Sequence, residues 1–338
     1  MPGVLARAPC VVAAAFVCLI CIIGPARAAS SPPLRPEIDS FIDEMVAKHG
    51  FQRSSLRKLF RQAQPRPAVI RAISTPGTAR PWHEFRATYI EERRIAAGVE
   101  FWREHADALG RAQREYGVPE EMIVATIGVE TVYGRNMGRF RVLEALSMLT
   151  FDYPPRAALF RSELEALLLL SREAGLDALS IRGSYAGAMG IPQFLPSSYR
   201  RYAVDFDGDG RSDIWRSASD AIGSVANYYR NFGWETGAPV VIEAHASGDE
   251  VENVLAAEFR PHTRIAELRR QGIAPLSPVD DEALAMLVRV EAESGVQYWL
   301  GLQNFYVITR YNRSVNYALA VYELAQALKK RMQGMPGS

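Results

Sequence analysis

The sequence predicts an α+β fold, mostly α: one helical globule with a small antiparallel sheet inserted late in the chain. Three observations carry this. Apolar residues recur at helical spacing through most of residues 37–232. From Pro239 the pattern changes to short runs rich in β-branched and aromatic residues. A helical stripe then returns over residues 314–331. The chain has 338 residues, 48% of them hydrophobic, enough for a large core. No repeat, low-complexity tract or long linker divides it, so residues 37–338 read as one domain. A formal charge of +1 leaves no basic footprint for nucleic acid. A monomer is expected.

Residues 1–28 stand apart as a signal peptide. Arg7 precedes an apolar stretch from Cys10 to Ile23, followed by Gly24, Pro25 and the A-x-A site Ala26-Arg27-Ala28. The stretch is short of the about 20 residues a membrane span needs, although an uncleaved anchor is the alternative. Cys10, Cys18 and Cys21 all lie in this segment, so the exported protein needs neither disulfides nor thiol chemistry. Cys18-Leu19-Ile20 precedes Cys21 where a lipoprotein signal has small residues, so no lipid anchor is expected. Loss of Arg7 and Arg27 takes the formal charge from +1 to −1.

Residues 29–36 form a proline-rich leader. Ile38, Phe41, Ile42, Met45 and Val46 then mark a helix within 37–64. A proline-rich loop leads to Pro81, and helices are expected over 82–117, 119–134, 141–150 and 155–174. Residues 183–216 read as loop, and 217–232 as a helix capped by Ser217 or Ser219. PVVIEAHA, LAMLVRVE and QYWLGLQNFYVIT read as strands of a sheet subdomain over 239–312, with a short helix at 265–271.

The segment PEEMIVATIGVETVYGRNMG, residues 119–138, places one carboxylate, Glu130, among apolar and small residues. Pro119, Glu120 and Glu121 suit a helix start, and Gly134 a helix stop. Met122, Ile123, Val124, Ile127 and Val129 cover too much of the circumference for a surface helix, so it is buried. Burial and the helix's negative end both disfavour the Glu130 anion and raise its pKa, as a general acid near neutral pH requires. The alternative is a core glutamate with a structural partner.

Residues 183–199, GSYAGAMGIPQFLPSSY, combine small residues that permit close backbone approach with Ser184 and Gln193 as hydrogen-bonding groups. Tyr185, Phe194 and Tyr199 add flat faces for sugar rings. An ordinary core-threading loop is the competing reading. In DFDGDGRSD, Asp205, Asp207, Asp209 and Asp213 occupy positions 1, 3, 5 and 9 of an EF-hand-like calcium loop. Gly210 takes position 6, and the Arg211 carbonyl position 7. Position 12 is Arg216 rather than glutamate, and Asp220 is the best substitute in a loop spanning 205–220. A solvated acidic turn is the alternative. Magnesium suits the loop less well, because it prefers a rigid octahedral site.

Near the C-terminus Tyr311, Asn312 and Tyr317 surround a polar turn and can reach a cleft, unless the tyrosines are core packing. The five histidines are scattered without HExxH, and no GxSxG, Walker or dinucleotide motif occurs.

Five ordered motifs carry a family resemblance over essentially the whole chain after residue 28. They are IGVETVYGRNMGRFRVLEALSMLTFDYPPRA, GSYAGAMGIPQFLPSSY, AVDFDGDGRSDIW, DAIGSVANYYRNFGW and NFYVITRYN. Together they resemble the lytic murein transglycosylase B family. The resemblance implies a lysozyme-like fold, a periplasmic location and peptidoglycan glycan strands as substrate. It also implies encounters with other cell-wall synthesis or hydrolysis enzymes. Glu130 matches the sole catalytic acid/base, with Ser184 and Gln193 beside it and Tyr311, Asn312 and Tyr317 on the opposite wall. Arg156 matches one of two adjacent cleft arginines, whose neighbour is Pro155 here. Phe85 stands where an aromatic, often tyrosine, lines the cleft. Calcium is the only cofactor implied.

The expected reaction is cleavage of the MurNAc-β-1,4-GlcNAc bond with formation of 1,6-anhydro-MurNAc by exolytic action. The rival readings are a hydrolytic muramidase with a second acid and a non-catalytic, calcium-dependent murein-binding protein.

Overall fold

The computed structural model describes residue 3 and residues 33–75, 80–257 and 259–334. The rest of the expected signal peptide, with its cysteines, and residues 29–32 of the leader lie outside the described residues. Among the described residues no helix is long and apolar enough to cross a membrane.

The N-terminal helical pattern is divided. Helix α1 (Pro36–His49) buries Phe41, Ile42 and Met45 and ends at Gly50, whose φ of 67° suits glycine. Helices α2 (Arg53–Gln62) and α3 (Pro67–Ile73) follow, the latter inside the stretch expected to be loop. Proline at its first position explains α3: the missing N–H costs nothing there.

The single helix expected over 82–117 is three: α4 (Trp82–Tyr89), α5 (Glu92–Glu104) and α6 (Ala106–Tyr116). Extended backbone at Glu91 and a non-helical His105 break the run. Helix α7 (Glu120–Thr131) carries Glu130 and is buried on nearly all sides, from Met122 through Val129. It ends three residues before Gly134. The strands β1 (Phe140–Arg141) and β2 (Arg182–Gly183) pair antiparallel around helices α8 (Val142–Asp152) and α9 (Ala157–Glu173). Helix α10 (Pro196–Tyr202) interrupts the expected loop. The Ser217 hydroxyl accepts the Asp220 amide and caps α11 (Ala218–Asn231), as anticipated for one of the two serines.

The sheet contains β3 (Val241–Ala246), β4 (Thr263–Arg264), β5 (Ile273–Pro275), β6 (Leu284–Ala292) and β7 (Gly295–Gly301). Their order is β4-β6-β7-β3-β5, and every pair is antiparallel. Side chains alternate between faces along a strand, so β6 serves two cores. Met286, Val288 and Val290 join the main core, whereas Ala285 and Leu287 pack with Ile265, Leu268 and Leu300. Helices α12 (Val251–Leu255) and α13 (Ile265–Arg270) cover that second face.

The run QYWLGLQNFYVIT is strand only as far as Gly301. Residues from Gln303 form helix α14 (Gln303–Tyr311), and α15 (Val315–Gln333), capped by Ser314, closes the fold. Burial decides this against propensity: Phe305, Ile308 and Thr309 share one helical face in the main core. The Asn304 side chain donates to the carbonyls of Glu235 and Ala238 and accepts the Glu235 amide, fixing the helix start.

Candidate active site

Glu130 lies in the last turn of α7, where backbone carbonyls run out of helical partners. The chain leaves this helix through three consecutive left-handed residues, Val132 (φ 52°), Tyr133 (φ 60°) and Gly134 (φ 82°). For a β-branched valine that conformation is strained. The turn is held from both sides. The Thr131 hydroxyl donates to the Ile191 carbonyl at 2.8 Å and accepts the Gly134 amide at 2.9 Å. The Tyr133 ring fills a slot over Gly98 of α5 and Gly128 of α7, where a Cβ on Gly128 would come within 2.5 Å of the phenol oxygen. That phenol is buried without a partner among the described residues. The Arg94 guanidinium, itself buried, donates to the Gly128 carbonyl at 2.6 Å.

The Glu130 side chain keeps partial exposure at the surface of a densely packed region. Burial raises its pKa from 4.5 to about 7, and the hydrogen bond from the Tyr317 hydroxyl opposes this. Tyr317 donates to Glu130 Oε1 at 2.5 Å. Its own phenol is pushed well above the usual range, by burial first and then by the Glu130 charge. Among the described residues no second carboxylate perturbs Glu130. At neutral pH such a group exists in both forms, so it can give a proton and take one back.

The loop over residues 183–199 meets the end of α7 through the bond from Thr131 to the Ile191 carbonyl. It is a chain of tight reversals: Ser184 N–H donates to the Ala188 carbonyl at 2.8 Å, and Met189 and Phe194 exchange backbone bonds at 2.8 and 3.0 Å. Gly183 approaches the Ala188 carbonyl too closely for any side chain, as Gly138 does the Gly183–Ser184 peptide. The Ser184 hydroxyl oxygen accepts the amides of Ala186 and Ala188 at 3.2 and 3.1 Å. Gln193 is another left-handed residue, φ 52°, whose amide donates to the carbonyls of Met137 and Gly190. The Tyr185 ring is exposed.

On the C-terminal side the Tyr311 hydroxyl donates to the Pro192 carbonyl at 2.6 Å, tying α14 to this loop. Its ring packs against Tyr228 and Phe194 at 4.7 and 5.9 Å. Burial, then the Glu130 charge, raises its pKa well above the usual value. Asn312 is exposed at the end of α14.

Two expected residues sit differently. Phe85 is buried between Trp82 and Tyr89, its ring 4.8 Å from that of Tyr89. Arg156 is exposed, its guanidinium 5.4 Å from the Phe160 ring centre. Tyr89, one turn beyond Phe85, was not anticipated. Its pKa is raised by burial and then by the Glu130 charge, with Tyr185 also contributing, and the Arg94 guanidinium lies 5.1 Å from its ring centre. No spacing rule connects residues 89 and 94 to residue 130.

In the acidic loop, Asp205, Asp207 and Asp209 bring carboxylate oxygens within 4.8 Å of one another, all exposed. Three anions so close repel, and hard oxygen donors of this kind suit calcium. Asp213 and Asp220 are not part of that trio. Asp213 accepts the amides of Trp215 and Arg216. Asp220 is fully buried, with one oxygen accepting the Phe206 and Asp207 amides and the other the Asp213 amide. It braces the loop from inside.

Residues 33–326 match the transglycosylase SLT domain family. Membrane-bound lytic murein transglycosylase B of Escherichia coli (strain K12) is 44% identical over 303 residues, covering 87% of this chain and 82% of that protein. The crystal structure of soluble lytic transglycosylase SltB1 from Pseudomonas aeruginosa superposes with a TM-score of 0.83 at 48% identity, covering 88% of this chain and all of that one. Escherichia coli Slt35 in complex with bulgecin A gives 0.80 at 45% identity, covering 88% and 93%. With its lysozyme-like fold and the helix end that carries Glu130, this chain belongs to the transglycosylase SLT domain family and is a peptidoglycan-cleaving lytic transglycosylase of the murein transglycosylase B type.

Proposed function

We propose that the protein cleaves the MurNAc-β-1,4-GlcNAc bond of peptidoglycan strands and closes a 1,6-anhydro ring on the muramic acid, using Glu130 alone. The observation that carries this is the setting of that carboxyl: burial that pushes its pKa up to about 7, a phenol partner at 2.5 Å and, among the described residues, no second carboxylate acting on it. Most glycosidases divide the work between two carboxylates. Here the substrate supplies what the second would. Protonated Glu130 donates to the glycosidic oxygen as the C1–O bond breaks. The muramic N-acetyl carbonyl stabilises C1, and Ser184 and Gln193 hold that group. Ionised Glu130 then removes the C6 hydroxyl proton as that oxygen bonds to C1, which restores the acid.

SltB3 from Pseudomonas aeruginosa, 32% identical with a TM-score of 0.75, has been solved with NAG-anhNAM-pentapeptide, a ligand bearing that ring. Tyr89, Tyr185, Tyr311, Asn312 and Tyr317 form the remaining sugar contacts in this proposal, and Arg156 reaches the strand from the rim. Phe85 contributes by holding Tyr89.

A calcium ion fits Asp205, Asp207 and Asp209, with the Arg211 carbonyl and Asp213 completing its shell. Escherichia coli Slt35, 43% identical, has been solved in complex with calcium. In this proposal the ion is structural, and the protein acts in the periplasm as a monomer after loss of residues 1–28.

Digestion of purified sacculi tests the reaction. Products one water lighter than reducing-end sugars are expected from the wild type, and none from Glu130→Gln. Reducing ends as the main product establish hydrolysis instead. Binding of sacculi without release of fragments establishes a murein-binding protein.

A further inference from the structure

Arg94 of α5 is a cation only 8% exposed, and no acid is close to it. Its one ion pair among the described residues, to the exposed Glu91, spans 3.9 Å. A charge removed from water in this way is costly unless other groups stabilise it. Backbone carbonyls do so here. One guanidinium nitrogen donates to the Gly128 carbonyl at 2.6 Å, and the other terminal nitrogen to the Thr88 carbonyl at 3.4 Å. Both carbonyls belong to last turns, of α7 and α4, where the helix dipole is negative. Each of these turns also carries a residue of the cleft, Glu130 in α7 and Tyr89 in α4. The Gly128 carbonyl accepts the Val132 amide as well, at 3.1 Å, so Arg94 grips the oxygen from which the left-handed exit starts. Val132 is the strained member of that exit, and this second bond opposes its relaxation.

We propose that Arg94 is a positioning residue for the cleavage: it clamps the ends of α7 and α4 to one guanidinium and so fixes where the Glu130 carboxyl stands. The inference rests on Glu130 as the acid. Arg94 is too buried to touch the strand itself. Tyr89 has separate support from the Phe85 ring, 4.8 Å away, so loss of the clamp falls on Glu130. The groups that feel the Glu130 charge from the neighbouring helices are phenols: Tyr89, Tyr228, Tyr229, Tyr311 and Tyr317. All are raised above the usual phenol range, so none supplies a charge near neutral pH.

Kinetics of the full chain on purified glycan strands test this. Arg94→Lys keeps the charge but replaces the fork with a single nitrogen. Its kcat should fall by about tenfold or more, because a displaced acid is misaligned. KM should stay within about twofold, since no contact to the strand is removed. The freed turn admits water to the carboxyl, so the alkaline limb of the pH–rate profile should move to lower pH. A smaller folded fraction alone leaves that limb in place. Val132→Gly removes the strain that the clamp opposes, and in that background Arg94→Lys should cost less than about threefold. Glu91→Gln leaves the carbonyl bonds intact and should keep the wild-type rate. A wild-type rate and limb in Arg94→Lys, an equal loss in both backgrounds, or a similar loss in Glu91→Gln overturns the proposal. If Arg94→Lys does not fold alone, Val132→Gly should restore it, and an unfolded double variant overturns the proposal too. Glu130→Gln keeps the two claims apart. An inactive Glu130→Gln beside an unaffected Arg94→Lys removes the clamp and leaves the acid, whereas lysis by Glu130→Gln removes both.

Discussion

Tyr317 donates its phenol to Glu130 at 2.5 Å, joining the last helix of the chain to the end of α7 across 187 positions of sequence. The bond favours the anion, and burial favours the acid more strongly. Their balance keeps the group close to neutrality, where one residue can serve as acid and then as base.

Tyr317→Phe removes only the opposing influence, so the Glu130 pKa should rise further. Cleavage requires the protonated form first, and the alkaline limb of the pH–rate profile should move to higher pH. The rate should fall by about tenfold or more, because the acid loses its orientation. An unmoved limb would show that Tyr317 does not tune the acid.

Glu130→Gln should abolish lysis and stabilise the fold. A carboxyl whose folded pKa is raised from 4.5 to about 7 contributes stability that is full below pH 4.5 and lost as pH rises through 7. At pH 8 the ionised group therefore costs the fold at most about 3 kcal/mol. Melting curves of the two proteins should coincide near pH 4 and separate by several degrees at pH 8, with the variant higher. The same separation at both pH values would contradict the shift.

Gly128→Ala should be costly because the new methyl meets the Tyr133 ring in its slot. Overpacking of this kind destabilises by about 1–3 kcal/mol. Its displacement of the left-handed turn should also lower kcat more than it raises KM. Tyr133→Phe should be neutral or slightly stabilising, since the deleted hydroxyl is buried without a partner among the described residues. Urea denaturation with steady-state kinetics checks both.

Calcium should raise the melting temperature, by about 5 °C at a hundredfold excess over Kd. Asp209→Ala should erase the increment, and magnesium should reproduce little of it. A curve unchanged by saturating calcium would remove the loop from consideration as a metal site.

Much of this site was legible in the sequence because local rules govern it. Acids and proline at the start of α7, its all-round apolar surface and a single internal carboxylate make Glu130 the candidate without coordinates. The glycines of residues 183–190 report close backbone approach in the same way. Two kinds of feature escaped. The residues of α14 favour strands by propensity, and only the core contacts of Phe305 and Ile308 select a helix. Tyr89 and Arg94 are brought toward Glu130 by the packing of α5 on α7, which no sequence interval records. The end of α7 escaped as well: glycine at 134 marked a stop, but the slot for Tyr133 moves it back to Thr131.

Asp220 gives the acidic loop an anchor beneath its backbone. In a loop that depends on its ion, several amides wait unbonded until the ion arrives and the chain closes around it. Here one interior carboxylate already engages three of those amides. The loop's backbone is therefore organised from the protein's own interior. In the proposed calcium site the ion would stiffen a part that Asp220 already holds, rather than build it.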